Sequence, residues 1–198
     1  MRELKKIQLL RNILNEVTKR YDEVIAFQKK ELEERFKMAI RDPLTGLYNR
    51  SYLIEFADKS LQKHIRDEEN NYAYVIFFDL DNFKYVNDTF GHKEGDKVLK
   101  KVANILKKSF RSYDIVARLG GDEFIVFLDS SKIKESMFDI DKYLERIVGK
   151  IEAKFEKYNI SASYGVAIFP KDGTTIEDLI DIADQRMYEL KKEKKRNR

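Results

Sequence analysis

Asp79 and the neighbouring pair Asp122-Glu123 are the side chains best placed in this chain to hold a cation beside a reacting phosphate. Asp79 ends the apolar run Tyr74-Val75-Ile76-Phe77-Phe78 and opens Asp79-Leu80-Asp81. A carboxylate directly after a buried strand sits at the rim of its sheet, rigidly held and facing solvent. Asp122 and Glu123 follow Gly120-Gly121 and precede Phe124-Ile125-Val126-Phe127-Leu128, which reads as a tight turn feeding a second buried strand. If the two strands are neighbours, their acids meet. Oxygen ligands without His or Cys suit Mg²⁺ or Mn²⁺, ions that hold triphosphates and activate a hydroxyl for attack at phosphorus. Singly, Asp79 could cap the following turn and Asp122 could satisfy hairpin amides. Paired on adjacent strand ends beside two glycines, they favour a metal.

The stretch Asn82 to Asp96 separates these acids and is dense in turn formers and in side chains able to read a base edge. Asn offers an acceptor and a donor, and a carboxylate accepts the paired N1–H and N2–H of guanine. Lys84 could neutralise phosphate. The competing reading is a solvated loop with Asx turns and a helix N-cap at Asp96.

The elements that must position these groups follow from periodicity. Residues 3–40 contain neither Gly nor Pro and read as one long helix. Ile7, Leu10, Leu14, Val17, Tyr21 and Val24 alternate steps of three and four, the seam of a coiled coil. After Val24 the line slips to Ile25, Leu32, Phe36 and Ala39, a stutter or a helix turning onto its own domain. Self-association is the favoured reading. Asp42-Pro43 stops this helix, dividing the chain into an N-terminal signalling and dimerisation helix, 1–41, and a catalytic domain, 42–198. Within the domain the expected order is a helix over 50–66, strand 74–78, helix 95–110 and strands 115–117 and 123–128. A helix over 137–157, strand 161–169 and a last helix over 175–192, capped by Thr174 or Thr175, complete it. The fold class is therefore α/β (α+β): an antiparallel-containing central sheet flanked by helices, with a long N-terminal helix.

Composition excludes several alternatives. Charged residues make up 37%, and no apolar run approaches the roughly 20 residues that span a bilayer. There is no signal-peptide pattern at Met1 to Lys6 and no cysteine, so a cytoplasmic setting without direct membrane insertion is expected. The net charge of +4 resides entirely in residues 1–41; the remainder balances to zero. The domain body is thus no basic nucleic-acid surface. His64 reads as a lone exposed histidine without a role.

These motifs together resemble the GGDEF-domain diguanylate cyclases of bacteria. The resemblance covers residues 42 to about 192. It rests on Asp42-Pro43-Leu44-Thr45-Gly46-Leu47-Tyr48-Asn49-Arg50, Phe78-Asp79-Leu80-Asp81-Asn82-Phe83-Lys84, Asn87-Asp88-Thr89-Phe90-Gly91-His92, the Gly-Gly-Asp-Glu-Phe signature, Ser163-Tyr164-Gly165-Val166-Ala167, and Ala183-Asp184 followed by Met187-Tyr188. It implies a nucleotidyl cyclase or palm-like fold and condensation of two GTP into cyclic di-GMP with release of two pyrophosphates. It further implies a homodimer, because each domain holds only one of the reacting nucleotides. On this resemblance Asp79, the carbonyl of Leu80 and Asp122 match the metal ligands. Asp122 also matches the group that deprotonates the 3′-hydroxyl, with Glu123 close by, and Lys84 the stabiliser of transition-state phosphate charge. Asn87 and Asp96 match the guanine readers and His92 a substrate contact; Asp96 implies GTP rather than ATP.

Two further patterns follow from the resemblance. Arg111-Ser112-Tyr113-Asp114 looks like the family's RxxD site, where the product cyclic di-GMP binds and inhibits, with Arg118 assisting. Lys191 and Lys195 match groups that hold the GTP phosphates, although Lys194 stands where the family usually has Gly. The alternative to a cyclase is a catalytically silent domain acting as a cyclic di-GMP receptor.

Overall fold

The computed structural model describes residues 1–66, 71–129 and 139–196. They form two compact units, Met1–Ile40 and Arg41–Arg198. The first is a single helix, α1 (Arg2–Ile40), with no buried residue. Its surface carries ion pairs one turn apart, Arg20 to Glu16 at 3.1 Å and Arg35 to Glu31 at 2.7 Å, each contributing a few tenths of a kcal/mol.

The second unit is built on a five-stranded sheet in the order β1-β3-β4-β2-β5. The strands are β1 (Tyr48–Asn49), β2 (Ala73–Asp81), β3 (Ile115–Gly120), β4 (Glu123–Asp129) and β5 (Ser161–Phe169). β1 runs parallel to β3 and every other pair is antiparallel, so the sheet is mixed. Alternate side chains of β2 supply two cores, as the strand's two-residue period requires. Tyr74, Ile76, Phe78 and Leu80 share one with α4 (His92–Ser109) and α5 (Ile140–Lys154). Val75 and Phe77 share the other with α2 (Arg50–Arg66) and α6 (Ile176–Arg196). Phe78 and Phe124, partners in the β2–β4 register, are fully buried; truncating either to Ala would cost about 3–5 kcal/mol.

The exposure expected of His64 is corrected, and so is the competing reading of the segment after Asn82 as a solvated loop. That segment is helical. It forms α3 (Phe83–Phe90), joined to α4 through Gly91 alone. Phe83 and Val86, three residues apart, are buried and hold this helix on the core. Asn82 turns the chain from β2 into α3 with φ 64° and donates from Nδ2 to the carbonyl of Asn159 at 2.8 Å. Asp96 therefore lies inside α4 rather than at its N-cap. His64 is buried, not exposed, at 6% of its free surface. Its Nε2 lies 3.1 Å from Asp129 Oδ1, and Ser60 donates to Asp129 Oδ2 at 2.7 Å.

The helix ends also shift. α5 gives way to a 3-10 turn, Glu156–Tyr158, and the expected start of this helix at 137 lies outside the described residues. The Thr175 hydroxyl caps α6 by accepting from the Asp178 amide at 3.2 Å. α6 approaches β5 closely because Gly165 has no side chain: a Cβ there would overlap the carbonyl of Ala183 and the amide of Met187. No described helix is long and apolar enough to cross a membrane.

Candidate active site

The acids predicted to meet are brought together by strand register. Asp79 pairs with Glu123 across β2 and β4, and Glu123 with Gly120 across the hairpin. Gly121 adopts φ 50° in the turn, a conformation that side chains rarely accept. Arg118 fixes that turn by donating to the Gly121 carbonyl from Nε at 3.0 Å and from a terminal nitrogen at 2.7 Å. It also grips the Asp42 carboxylate at 3.1 and 3.2 Å. Burial pushes the Asp42 carboxyl up, but Thr45 and Arg118 outweigh it and hold the group below its ordinary 3.8. The Asp-Pro entrance and the signature turn are thereby fastened to each other. The hydrogen bonds of Arg118 thus run to Gly121 and Asp42.

The rim is strongly acidic. Burial and then the Asp79 carboxylate raise the Asp122 pKa. Burial, Asp79, Asp122 and Asp184 raise that of Glu123. Lys191 on α6 opposes this by donating to Asp79 Oδ1. One turn further on, Lys194 donates to the Ala162 carbonyl at 2.7 Å and lies 3.5 Å from Asp81 Oδ2. Asp81 itself is buried and accepts from the Ser163 hydroxyl at 3.0 Å. Asp81, Ser163 and Lys194 had no assigned function in the sequence. The signal available was the spacing of Asp79 and Asp81, which puts both carboxylates on one face of β2.

Beside these acids lies a cavity of about 220 Å³, lined among others by Leu80, Lys84, Asp122, Lys191, Lys194 and Lys195. Four lysines beside a carboxylate rim make a place for a polyanion that brings its own cation. Asp79, Asp122 and the Leu80 carbonyl are the hard oxygen donors that suit Mg²⁺ or Mn²⁺. The Lys191 ammonium against Asp79 is a cation already accommodated there. Among the described residues no three His, Cys, Asp or Glu side chains converge to hold a metal. A divalent ion here would draw further oxygens from phosphate and water, as Mg²⁺ commonly does.

Asn87, half-buried on α3, lies against Gly95 near the start of α4, where His92 and Asp96 are exposed. On the far end of α4, Asp114 Oδ2 accepts from the Arg111 amide at 2.7 Å, and Arg111 donates to the Tyr113 hydroxyl at 2.5 Å. Burial, partly offset by that Arg111 amide, raises the Asp114 pKa.

Residues 39–198 match the family described as Diguanylate cyclase, GGDEF domain. The chain is 38% identical over 158 residues to the bifunctional diguanylate cyclase/cyclic di-GMP phosphodiesterase MucR of Pseudomonas aeruginosa, covering 80% of this chain and 23% of that protein. It spans between a fifth and about a third of the length of the curated relatives it matches. Among solved structures, a sensory box/GGDEF family protein from Caulobacter crescentus is 31% identical with a TM-score of 0.67, over 78% of this chain and 99% of that one. The GGDEF domain of DgcB from the same organism, solved in complex with c-di-GMP, is 26% identical with a TM-score of 0.66, over 78% and 91%. The match takes in the Asp42 entrance, both acidic strand ends, the glycine turn and the lysines of α6, and the chain belongs to the diguanylate cyclase GGDEF-domain family.

Proposed function

We propose that this chain is a diguanylate cyclase that condenses two GTP into cyclic di-GMP and two pyrophosphates as a homodimer in the cytoplasm. The observation that carries the reading is the convergence of Asp79 and Asp122 on adjacent strand ends beside a lysine-lined cavity. In each half-reaction the 3′-oxygen of one nucleotide bonds to the α-phosphorus of the other. The α–β phosphoanhydride breaks, pyrophosphate leaves, and the hydroxyl proton passes to the Asp122 carboxylate. Glu123 is the second carboxylate of the turn. Lys84, Lys191 and Lys195 bind the phosphates and take up charge on the leaving group. Asn87 and Asp96 read guanine, with His92 as a further substrate contact. A divalent ion held by Asp79, Asp122 and the Leu80 carbonyl would polarise the phosphate and acidify the attacking hydroxyl.

Product inhibition is assigned to Arg111 and Asp114: the guanidinium presents a planar fork to guanine or phosphate, and the carboxylate accepts from the base edge. The test is chromatography of a reaction containing GTP and Mg²⁺. Cyclic di-GMP should accumulate and then slow its own formation, with Arg111→Ala raising the product concentration needed for half-inhibition. No cyclic di-GMP at any protein concentration, with cyclic di-GMP still bound by the protein, overturns the cyclase in favour of a receptor.

A further inference from the structure

Gly95 is the fourth residue of α4 and is buried. Its backbone does not call for glycine, since the positive-φ glycines are Gly46, Gly91 and Gly121. Within a helix, glycine is less favourable than alanine because it loses more backbone freedom. What the position lacks is space. A Cβ at residue 95 would overlap Oδ1 of Asn87 outright and stand 3.0 Å from its Cγ and 3.2 Å from Cζ of Phe83. The side-chain amide of Asn87 therefore lies on the bare Cα of Gly95.

The surroundings decide which group would yield to a methyl. Phe83 is buried in the core and held there. The two helices cannot part easily, because Gly91 is their only link and is bonded on both sides: its amide donates to the Asn87 carbonyl at 3.0 Å, and its carbonyl accepts from the Glu94 amide at 3.0 Å. The 3-10 turn after α5 and the residue that follows it fasten the start of each helix. Tyr158 donates to Glu94 Oε1 at 2.5 Å, and the Asn159 carbonyl accepts from Asn82 at the start of α3. Only the Asn87 side chain remains free to swing. We propose that Gly95 is a positioning residue for base selection: its missing side chain seats the Asn87 amide in the orientation that reads a 6-oxo, 2-amino purine. This deepens the reading of Asn87 as a guanine contact and rests on it.

The experiment compares the wild type, Gly95→Ala, Asn87→Ala and the double variant by calorimetric binding of 3′-deoxy-GTP, which cannot cyclise, and of 3′-deoxy-ATP. Cyclic di-GMP formation and thermal unfolding are followed in parallel. Gly95→Ala should weaken 3′-deoxy-GTP and raise KM by about tenfold, with kcat within about twofold, as expected for a misaligned neutral hydrogen bond. The preference for 3′-deoxy-GTP over 3′-deoxy-ATP should fall with it. In the Asn87→Ala background the alanine should have no further effect, which a purely structural role for Gly95 would not produce. Unchanged affinity in Gly95→Ala, or the same loss with Asn87 already removed, overturns the proposal. A wild type that binds 3′-deoxy-GTP without making cyclic di-GMP would sink the cyclase reading, and the binding comparison would still decide this one. A wild type without preference for the guanine nucleotide overturns both.

Discussion

In the proposed reaction Asp122 would be metal ligand and proton acceptor at once, and it carries an electrostatic burden. Burial and the neighbouring Asp79 both disfavour its charged form, so at neutral pH the site carries repulsion that Lys191 and Arg118 offset in part and a bound cation would relieve further. Asp122→Asn keeps the shape and removes the charge. The expected outcome is a loss of cyclic di-GMP formation of about a hundredfold or more, with a melting temperature equal to or above that of the wild type when no metal is added. Chromatography and a thermal melt check the two halves together; a retained rate would remove Asp122 from the reaction. Much of this site was legible in sequence, because Asp79 directly follows one apolar run and Asp122 stands two residues before another. The contacts of Lys191 and His64 were not. Their partners, Asp79 and Asp129, lie 112 and 65 residues away in sequence, and no local pattern carries such a pairing.

At the level of elements, α6 is seated by more than its apolar face. Arg186 clamps Asp172 with two bonds at 2.7 and 2.8 Å and donates to the Val166 carbonyl at 2.6 Å. Asp172 also accepts from the Ile168 amide at 2.8 Å. The hydrogen bonds from Arg186 hold the Asp172 carboxyl below its ordinary 3.8. A depressed acid contributes stability above its unfolded pKa and loses it as pH falls through the folded one. Urea unfolding should therefore show stability falling from about pH 4 downward, with a shallower acid limb in Asp172→Asn. At pH 7 the same variant should be destabilised by about 1 kcal/mol, discounted because the guanidinium is half exposed. An acid limb identical in both proteins would refute this clamp. Element order was readable from periodicity, including all of β5. The two-residue β1 and helix α3 were not; in α3 Asn87-Asp88-Thr89 are turn formers, and only tertiary burial of Phe83 and Val86 overrides them.

For the molecule as a whole, the proposed reaction, which joins two nucleotides held by two domains, would demand a second copy. α1 offers it a surface: Leu10, Leu14 and Val17 stand 58%, 65% and 58% exposed along one seam. Activity should rise more steeply than linearly with protein concentration. Leu14→Asp should shift that rise to higher concentration, with sedimentation showing the dimer weakened in step; unchanged specific activity on dilution would rule out a helix-driven dimer. Self-association of this kind must avoid a different, unwanted one. A sheet with open borders is a template for indefinite strand addition, from copy to copy, into insoluble fibres. Here β1, at one border, is two residues long. At the other border, β5, the backbone groups of Ala162, Val166 and Ile168 share one parity along the strand and are already engaged by Lys194, Arg186 and Asp172. The side chains that seat α6 therefore also obstruct strand addition along this border, so that the proposed pairing through α1 would not compete with pairing through the sheet.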